Sequence, residues 1–223
     1  DTHLQTVQRF KDFQDISCMA KTRENDVLVI KDDGYIYYFD RKGLKFHRLN
    51  AKRLAFEDIQ YICVDSANVL WIFSSSGDVR SYVIEKKEDS IPELIRNTLL
   101  DTSDYQINTP VRALFLDDEQ TLWVGTKGDG ILRMLRYAPD TGGKFDVERL
   151  HTGNSSLTDN SVYCFAPSCW NRLWIGTEHG MNYYSYRERK VKEFPVMVDG
   201  KTLRYVHSIC ELNDSTIWVA TVG

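Results

Sequence analysis

The chain has 223 residues, of which 42% are hydrophobic and 27% charged, and its formal net charge is −4. That apolar supply fills a folded core and argues against disorder, while mild acidity without a Lys/Arg cluster argues against a nucleic-acid surface. Apolar stretches such as Val27 to Ile30 are far too short to span a membrane, and Asp1 to Arg9 is too polar for a secretory signal.

Residues 1–10 contain one short apolar segment, Leu4 to Phe10, suited to an outer strand on a neighbouring or closing sheet. Residues 11–53 hold Ile16 to Met19, the run Val27-Leu28-Val29-Ile30, Gly34, the aromatic stretch Tyr35 to Phe39, and Lys45 to Leu49. Residues 54–107 repeat the order with Ile59 to Ile62, Asp65, Val69-Leu70-Trp71-Ile72, a small-residue turn to Gly77, and Val79 to Val83. Ser90 to Arg96 then breaks the pattern. Ser90 as a cap and Pro92 in the first turn predict a short helix there.

Residues 108–158 give Val111 to Leu114, Asp117, Thr121-Leu122-Trp123-Val124, Gly125 to Gly128, Ile131 to Tyr137, a turn at Asp140 to Gly143, and Phe145 to Leu150. Residues 159–201 give Val162 to Phe165, Arg172-Leu173-Trp174-Ile175, Gly176 to Gly180, Met181 to Tyr186, and Val191 to Phe194; Arg187 to Lys190 between them reads as a hairpin edge. Residues 202–223 give Val206 to Ile209 and Thr216-Ile217-Trp218-Val219, and the sequence ends at Gly223, where a third element is due.

Short β-branched and aromatic runs punctuated by glycine are strands, and four of them per repeat of about fifty residues make a propeller blade. The expected fold is all-β: a partial β-propeller of four-stranded antiparallel blades, about four and a half of them, cut from a longer ring. Strands buried on both sides explain the apolar runs in place of strict alternation. Trp71, Trp123, Trp174 and Trp218 are the anchors, each expected to be buried between neighbouring blades. The small residues after each tryptophan suit a tight reversal. Cys18, Cys63, Cys164 and Cys210 fall on strands and read as small core hydrophobes. Cys164 and Cys169 are the one close pair, without histidines at zinc-finger spacing, so no metal site is expected.

The string Asn160-Ser161-Val162-Tyr163-Cys164-Phe165, followed by Leu173-Trp174-Ile175-Gly176-Thr177 and Gly180-Met181-Asn182, resembles the two-component regulator propeller repeat. So does Asn108 to Leu114 followed by Leu122-Trp123-Val124-Gly125-Thr126. The first copy lacks its tryptophan, the second has Phe73 for the first glycine, and the last stops early. The resemblance implies the periplasmic sensor region of a hybrid two-component system of gut bacteria. It implies propellers followed by a further β-domain, a membrane span and a histidine kinase, and recognition of polysaccharide breakdown products.

No catalytic constellation stands out. The histidines His3, His47, His151, His179 and His207 are scattered, and no metalloprotease or nucleophile-elbow motif is present. Asp65 and Asp117 precede tryptophans as in sialidase Asp-boxes, which are themselves structural turns. Asn154-Ser155-Ser156 and Asn213-Asp214-Ser215 match the glycosylation pattern by chance.

Comparison between repeats is more informative. The residue after the first apolar position of each inner strand changes from Ser17 to Gln60, Arg112, Tyr163 and His207. Inner strands begin on the face where propellers take ligands, and the turn after each tryptophan adds Lys127, Glu178 and His179 on that face. Arg112, Tyr163, His207, Lys127, Glu178 and His179 are therefore the candidate binding residues, suited to an acidic or sulfated sugar through hydrogen bonds and stacking. The plainer reading is that they bond neighbouring blades or water.

The expected function is ligand sensing without catalysis or cofactor. An oligosaccharide and the remaining domains of the parent protein are the expected partners, and a homodimer is compatible with this. The alternative is a structural or protein-interaction propeller. A polar hollow on the inner-strand face favours the first, a flat apolar patch there the second.

Overall fold

The computed structural model describes residues 15–50, 53–54, 58–87, 90–97, 107–136, 145–213 and 215–222. The strand expected within Leu4 to Phe10 lies outside the described residues, as does the turn at Asp140 to Gly143. Among the described residues there is no helix.

Four sheets of four antiparallel strands follow one another along the chain. The first holds β1 (Ile16–Lys21), β2 (Val27–Lys31), β3 (Ile36–Asp40) and β4 (Lys45–Arg48). The second holds β5 (Ile59–Val64), β6 (Val69–Ser74), β7 (Val79–Glu85) and β8 (Glu93–Asn97). The third holds β9 (Val111–Leu116), β10 (Leu122–Thr126), β11 (Ile131–Arg136) and β12 (Phe145–Leu150). The fourth holds β13 (Val162–Ser168), β14 (Arg172–Thr177), β15 (Gly180–Ser185) and β16 (Lys190–Phe194). A small hairpin, β17 (Met197–Val198) with β18 (Lys201–Thr202), leads into the two-stranded fifth sheet, β19 (Val206–Asn213) with β20 (Thr216–Thr221). Each sheet is a simple meander, the arrangement of a propeller blade, and the all-β partial propeller expected from the repeats is what the chain forms.

The helix expected at Ser90 to Arg96 is instead the fourth strand of blade 2. Ile95 pairs with Val83, and Arg96 with Tyr82. Ser90 turns its hydroxyl to the Lys87 carbonyl at 2.9 Å rather than capping a helix. Leu94 packs on the core between blades 1 and 2, and the unpaired edge of β7 outweighs the local helix signal.

The core lies in four layers, each between consecutive blades. Trp71 of blade 2 packs with Val111, Leu122, Leu132 and Met134 of blade 3. Trp123 of blade 3 packs with Leu173, Ile175 and Tyr184 of blade 4, and Trp174 with Val206 and Ile209 of blade 5. All three indoles are at most 1% exposed. Trp218 departs from the expectation: it is 66% exposed, because no described sheet covers that side of blade 5. Cys210 is exposed for the same reason, whereas Cys18 is buried and Cys63 and Cys164 are half-buried.

The glycine after the tryptophan has a different cause from the tight turn expected of it. Gly125 and Gly176 lie inside β10 and β14. A Cβ on Gly176 would stand 2.5 Å from the Val206 carbonyl oxygen and from the Cys164 sulfur, and one on Gly125 would stand 2.8 Å from Val162. These glycines let the next blade approach. Phe73, which replaces the glycine in blade 2, is itself fully buried against blade 3.

Candidate ligand-binding site

Every inner strand carries a β-bulge at the same place. Ile16 pairs with Lys31 and Cys18 with Ile30, so Ser17 is the unpaired extra residue. The same two-against-one count leaves out Gln60 between Ile59 and Tyr61, and Arg112 between Val111 and Ala113. It leaves out Tyr163 between Val162 and Cys164, and His207 between Val206 and Ser208. These are the five positions that vary from repeat to repeat. A bulge re-aims a side chain that a regular strand would commit to a packed face. The neighbouring Val111, Val162 and Val206 are buried, whereas the bulged residues are half-buried or exposed.

Three of these side chains meet. The Arg112 guanidinium lies over the Tyr163 ring, its carbon 4.4 Å from the centroid. The His207 ring lies 4.4 Å from that of Tyr163 at an interplanar angle of 60°. Blades 3, 4 and 5 thus contribute one continuous stack. Glu178 borders it, accepting a long 3.5 Å hydrogen bond from the Tyr163 hydroxyl. Its backbone pins the face together: its N–H donates to the Ser161 carbonyl at 3.0 Å, and its carbonyl accepts from Tyr205 at 2.9 Å.

His179 stands apart in a second chain. Asp159 lies 2.7 Å from its Nδ1, and Arg204 Nη2 lies 2.8 Å from its Nε2. A guanidinium only donates, so Nε2 accepts and the proton on Nδ1 is donated to Asp159. Tyr205 links the two groups, its ring 6.4 Å from that of Tyr163 and 5.3 Å from the Arg204 guanidinium. Lys127 is exposed on the same rim, its backbone bridged to Ser161. Arg112 from the blade before and His207 from the blade after pack on Tyr163.

Sequence reasoning missed the pocket beside Ser17 and Gln60. It has a volume of about 740 Å³ and is lined also by Lys31, Asp32, Arg53, Asp58 and Tyr61. Ser17 donates to Asp32 at 2.5 Å. Tyr61 donates its hydroxyl to the backbone carbonyl of Arg112, joining the pocket to the stack. Only Ser17 and Gln60 carried a sequence signal, through the repeat comparison. Lys31 and Tyr61 sit on β2 and β5, and Asp32, Arg53 and Asp58 come from the segments between strands.

Asp65 and Asp117 are structural. Asp117 accepts the Trp123 indole N–H at 2.8 Å and the Thr121 N–H at 2.8 Å, and Asp65 does the same for Trp71 at 3.1 Å and Val69 at 2.9 Å. Blade 4 has Ser168 at the equivalent place, and Trp174 donates instead to Glu211 of blade 5 at 2.5 Å. Burial works to raise the Glu211 pKa. The hydrogen bonds from Cys169, Trp174 and Ser168 outweigh it and hold the carboxyl down at about 2. Among the described residues no cluster of His, Cys, Asp and Glu is arranged to hold a metal ion.

Residues 105–128 match the family described as two component regulator propeller. The chain is 24% identical over 188 residues to histidine kinase P4 of Formosa agariphila, a match covering 81% of this chain and 13% of that protein. Its fold is similar to the extracellular domain of the putative hybrid two component system BT4673 of B. thetaiotaomicron, with a TM-score of 0.61 and 18% identity. That likeness covers 98% of this chain and 27% of the other. It is also similar to a catalytically inactive virginiamycin B lyase from Staphylococcus aureus, with a TM-score of 0.57 and 13% identity over 92% of this chain and 62% of that one. The chain thus spans about an eighth of the curated relative and about a quarter of the sensor domain. The sequence resemblance to the two-component regulator propeller repeat holds, on a fold that binding proteins and enzymes share.

Proposed function

We propose that the chain is a ligand-sensing propeller module of a hybrid two-component system. It faces the periplasm, recognises an oligosaccharide on its bulge face, and signals to a histidine kinase outside this chain. The observation that carries this reading is the row of five equivalent bulges, each presenting a different polar or aromatic side chain. A scaffold has no need to vary these positions while keeping their geometry. The polar pocket on that face supports recognition of a hydroxyl-rich ligand. The family match at residues 105–128 and the similarity to a histidine kinase and to an extracellular sensor domain support the two-component setting.

Binding without turnover is the reading the side chains favour. Glu178, Asp159 and Asp32 are engaged by Tyr163, His179 and Ser17, rather than facing each other across a reacting bond. Hydrogen–deuterium exchange of the chain with defined polysaccharide digests tests the proposal. Protection is expected at the bulges around Gln60, Arg112, Tyr163 and His207, with the sugars recovered intact. Protection confined to the sides of the terminal blades would favour a scaffold, and shortened products would make it an enzyme.

A further inference from the structure

We infer that the bulge face holds a two-part site for a saccharide bearing a carboxylate or sulfate group. Arg112 binds the anion, and the pocket between blades 1 and 2 seats the adjoining uncharged ring. The inference rests on the reading of the bulge face as the ligand face, and adds the charge of the ligand and the residue that selects it.

The Arg112 Nη1 is enclosed and has no hydrogen-bond acceptor among the described residues. Arg133 also has an enclosed nitrogen without an acceptor, its Nε, but it keeps an ion pair, and Arg112 has none among the described residues. Arg133 has Glu148 at 3.1 Å, Arg149 has Asp129 at 3.7 Å, and Arg204 has His179 at 2.8 Å. An enclosed guanidinium N–H without an acceptor is costly, more so for a charged donor. The surrounding carboxylates are committed: Glu178 to Tyr163, Asp159 to His179, Asp129 to Arg149. Stacking on Tyr163 covers a face of the guanidinium, and the edge away from the enclosed Nη1 is left for an acceptor in the plane. A fork of parallel donors fits two oxygens of one group, as in a carboxylate or a sulfate. The exposed Lys127 adds positive charge at the same rim.

The pocket supplies the rest of the recognition. At about 740 Å³ it lies in the range of small-ligand cavities. Its lining mixes two hydroxyls, an amide, two cations and two carboxylates, which suits hydroxyls that both donate and accept. Tyr61 lines it and holds the Arg112 carbonyl, so the two parts are neighbours on one face. Both parts lie within this chain, so the chain itself must bind.

The test is calorimetry of the chain with three probes: a galacturonate tetrasaccharide, a carrageenan tetrasaccharide carrying sulfates but no carboxylate, and uncharged galactotetraose. At least one charged probe should bind, about tenfold or more tighter than galactotetraose, and its identity separates carboxylate from sulfate. Arg112→Ala should weaken that probe by about 10- to 100-fold, the scale of a charged hydrogen bond, and Gln60→Ala should weaken it through the pocket. Arg112→Lys, which keeps the charge without the fork, should fall between. If Arg112→Ala does not fold, Arg112→Lys and the salt dependence of the parent carry the test: charged-probe binding should fall with salt. Equal affinity for all three probes would overturn the anion site and leave the ligand face standing. Unchanged binding in the Arg112 variants would do the same. Binding of no probe overturns the inference for this chain.

Discussion

The carboxylate of Asp117 stands 2.8 Å from the indole nitrogen of Trp123, six residues further along. The same oxygen accepts the Tyr186 hydroxyl of blade 4 at 3.1 Å. One side chain thus closes the turn of its own blade, satisfies a fully buried tryptophan and holds the next blade. Asp117→Ala leaves buried donors without an acceptor and should destabilise the chain by at least about 2 kcal/mol. Asp117→Asn keeps one acceptor and should cost less. Denaturant unfolding of both variants measures the difference, and equal loss would mean that only the charge matters.

The tryptophans should not be equivalent in their energetics. Trp123→Ala empties a closed layer between blades 3 and 4 and should cost about 3–5 kcal/mol. Trp218→Ala removes a side chain that is 66% exposed and should cost within about 0.5 kcal/mol. Thermal unfolding of the two variants provides the comparison.

Gly176→Ala should destabilise by about 1–3 kcal/mol despite adding a single methyl group. The added carbon would meet the Val206 carbonyl oxygen at 2.5 Å, and a strand carbonyl cannot swing aside as a side-chain tip does. Gly128→Ala is a useful control. Nothing lies within 4 Å of its Cβ position, so any cost there comes from its positive φ of 142°.

Glu211 should make the junction of blades 4 and 5 sensitive to acid. Its ordinary pKa is 4.5, and hydrogen bonds hold it at about 2 in the folded chain. A depressed carboxyl pKa stabilises the fold fully above about 4.5, and that contribution is lost as pH falls from 4.5 to 2. Glu211→Gln should therefore raise hydrogen exchange in β19 and β20 at pH 6. The gap from the parent should close as the pH approaches 2.

The five thiols should divide into two classes. Burial pushes Cys63 up to about 12, and Cys18 and Cys164 up to about 11, so little thiolate forms at pH 8. Cys169 and Cys210 are exposed. Alkylation followed by peptide mapping should mark Cys210 first and Cys169 next, because the Cys169 thiol donates to the Glu211 carboxylate, with the other three reacting only on unfolding.

Much of this architecture is legible in the amino-acid order because it repeats. Trp71, Trp123 and Trp174 recur in one context, and a packed layer demands that same context each time. Trp218 carries the same local signal, yet its burial depends on a surface that no local pattern describes. Ser90 to Arg96 misleads for a related reason: a cap residue and a proline are local cues, while pairing with β7 is not. The variability of Ser17, Gln60, Arg112, Tyr163 and His207 is visible in the sequence, but the bulge that explains it is not. An extra residue in a strand leaves no mark in composition. Glu211 is equally hidden, since it serves a tryptophan 37 residues earlier in a different blade.

A bulged residue takes no part in the ladder that fixes its strand, and this separates what the five positions can become from what keeps the blades standing. Exchanging Gln60 or His207 changes the surface offered to solvent while the pairing on either side keeps its register. Each blade then offers one adjustable contact on a common frame, coupled to its neighbours only where the side chains stack, as Arg112, Tyr163 and His207 do. Chains of this architecture can acquire new preferences through single substitutions, one blade at a time, without first gathering stability elsewhere to tolerate them.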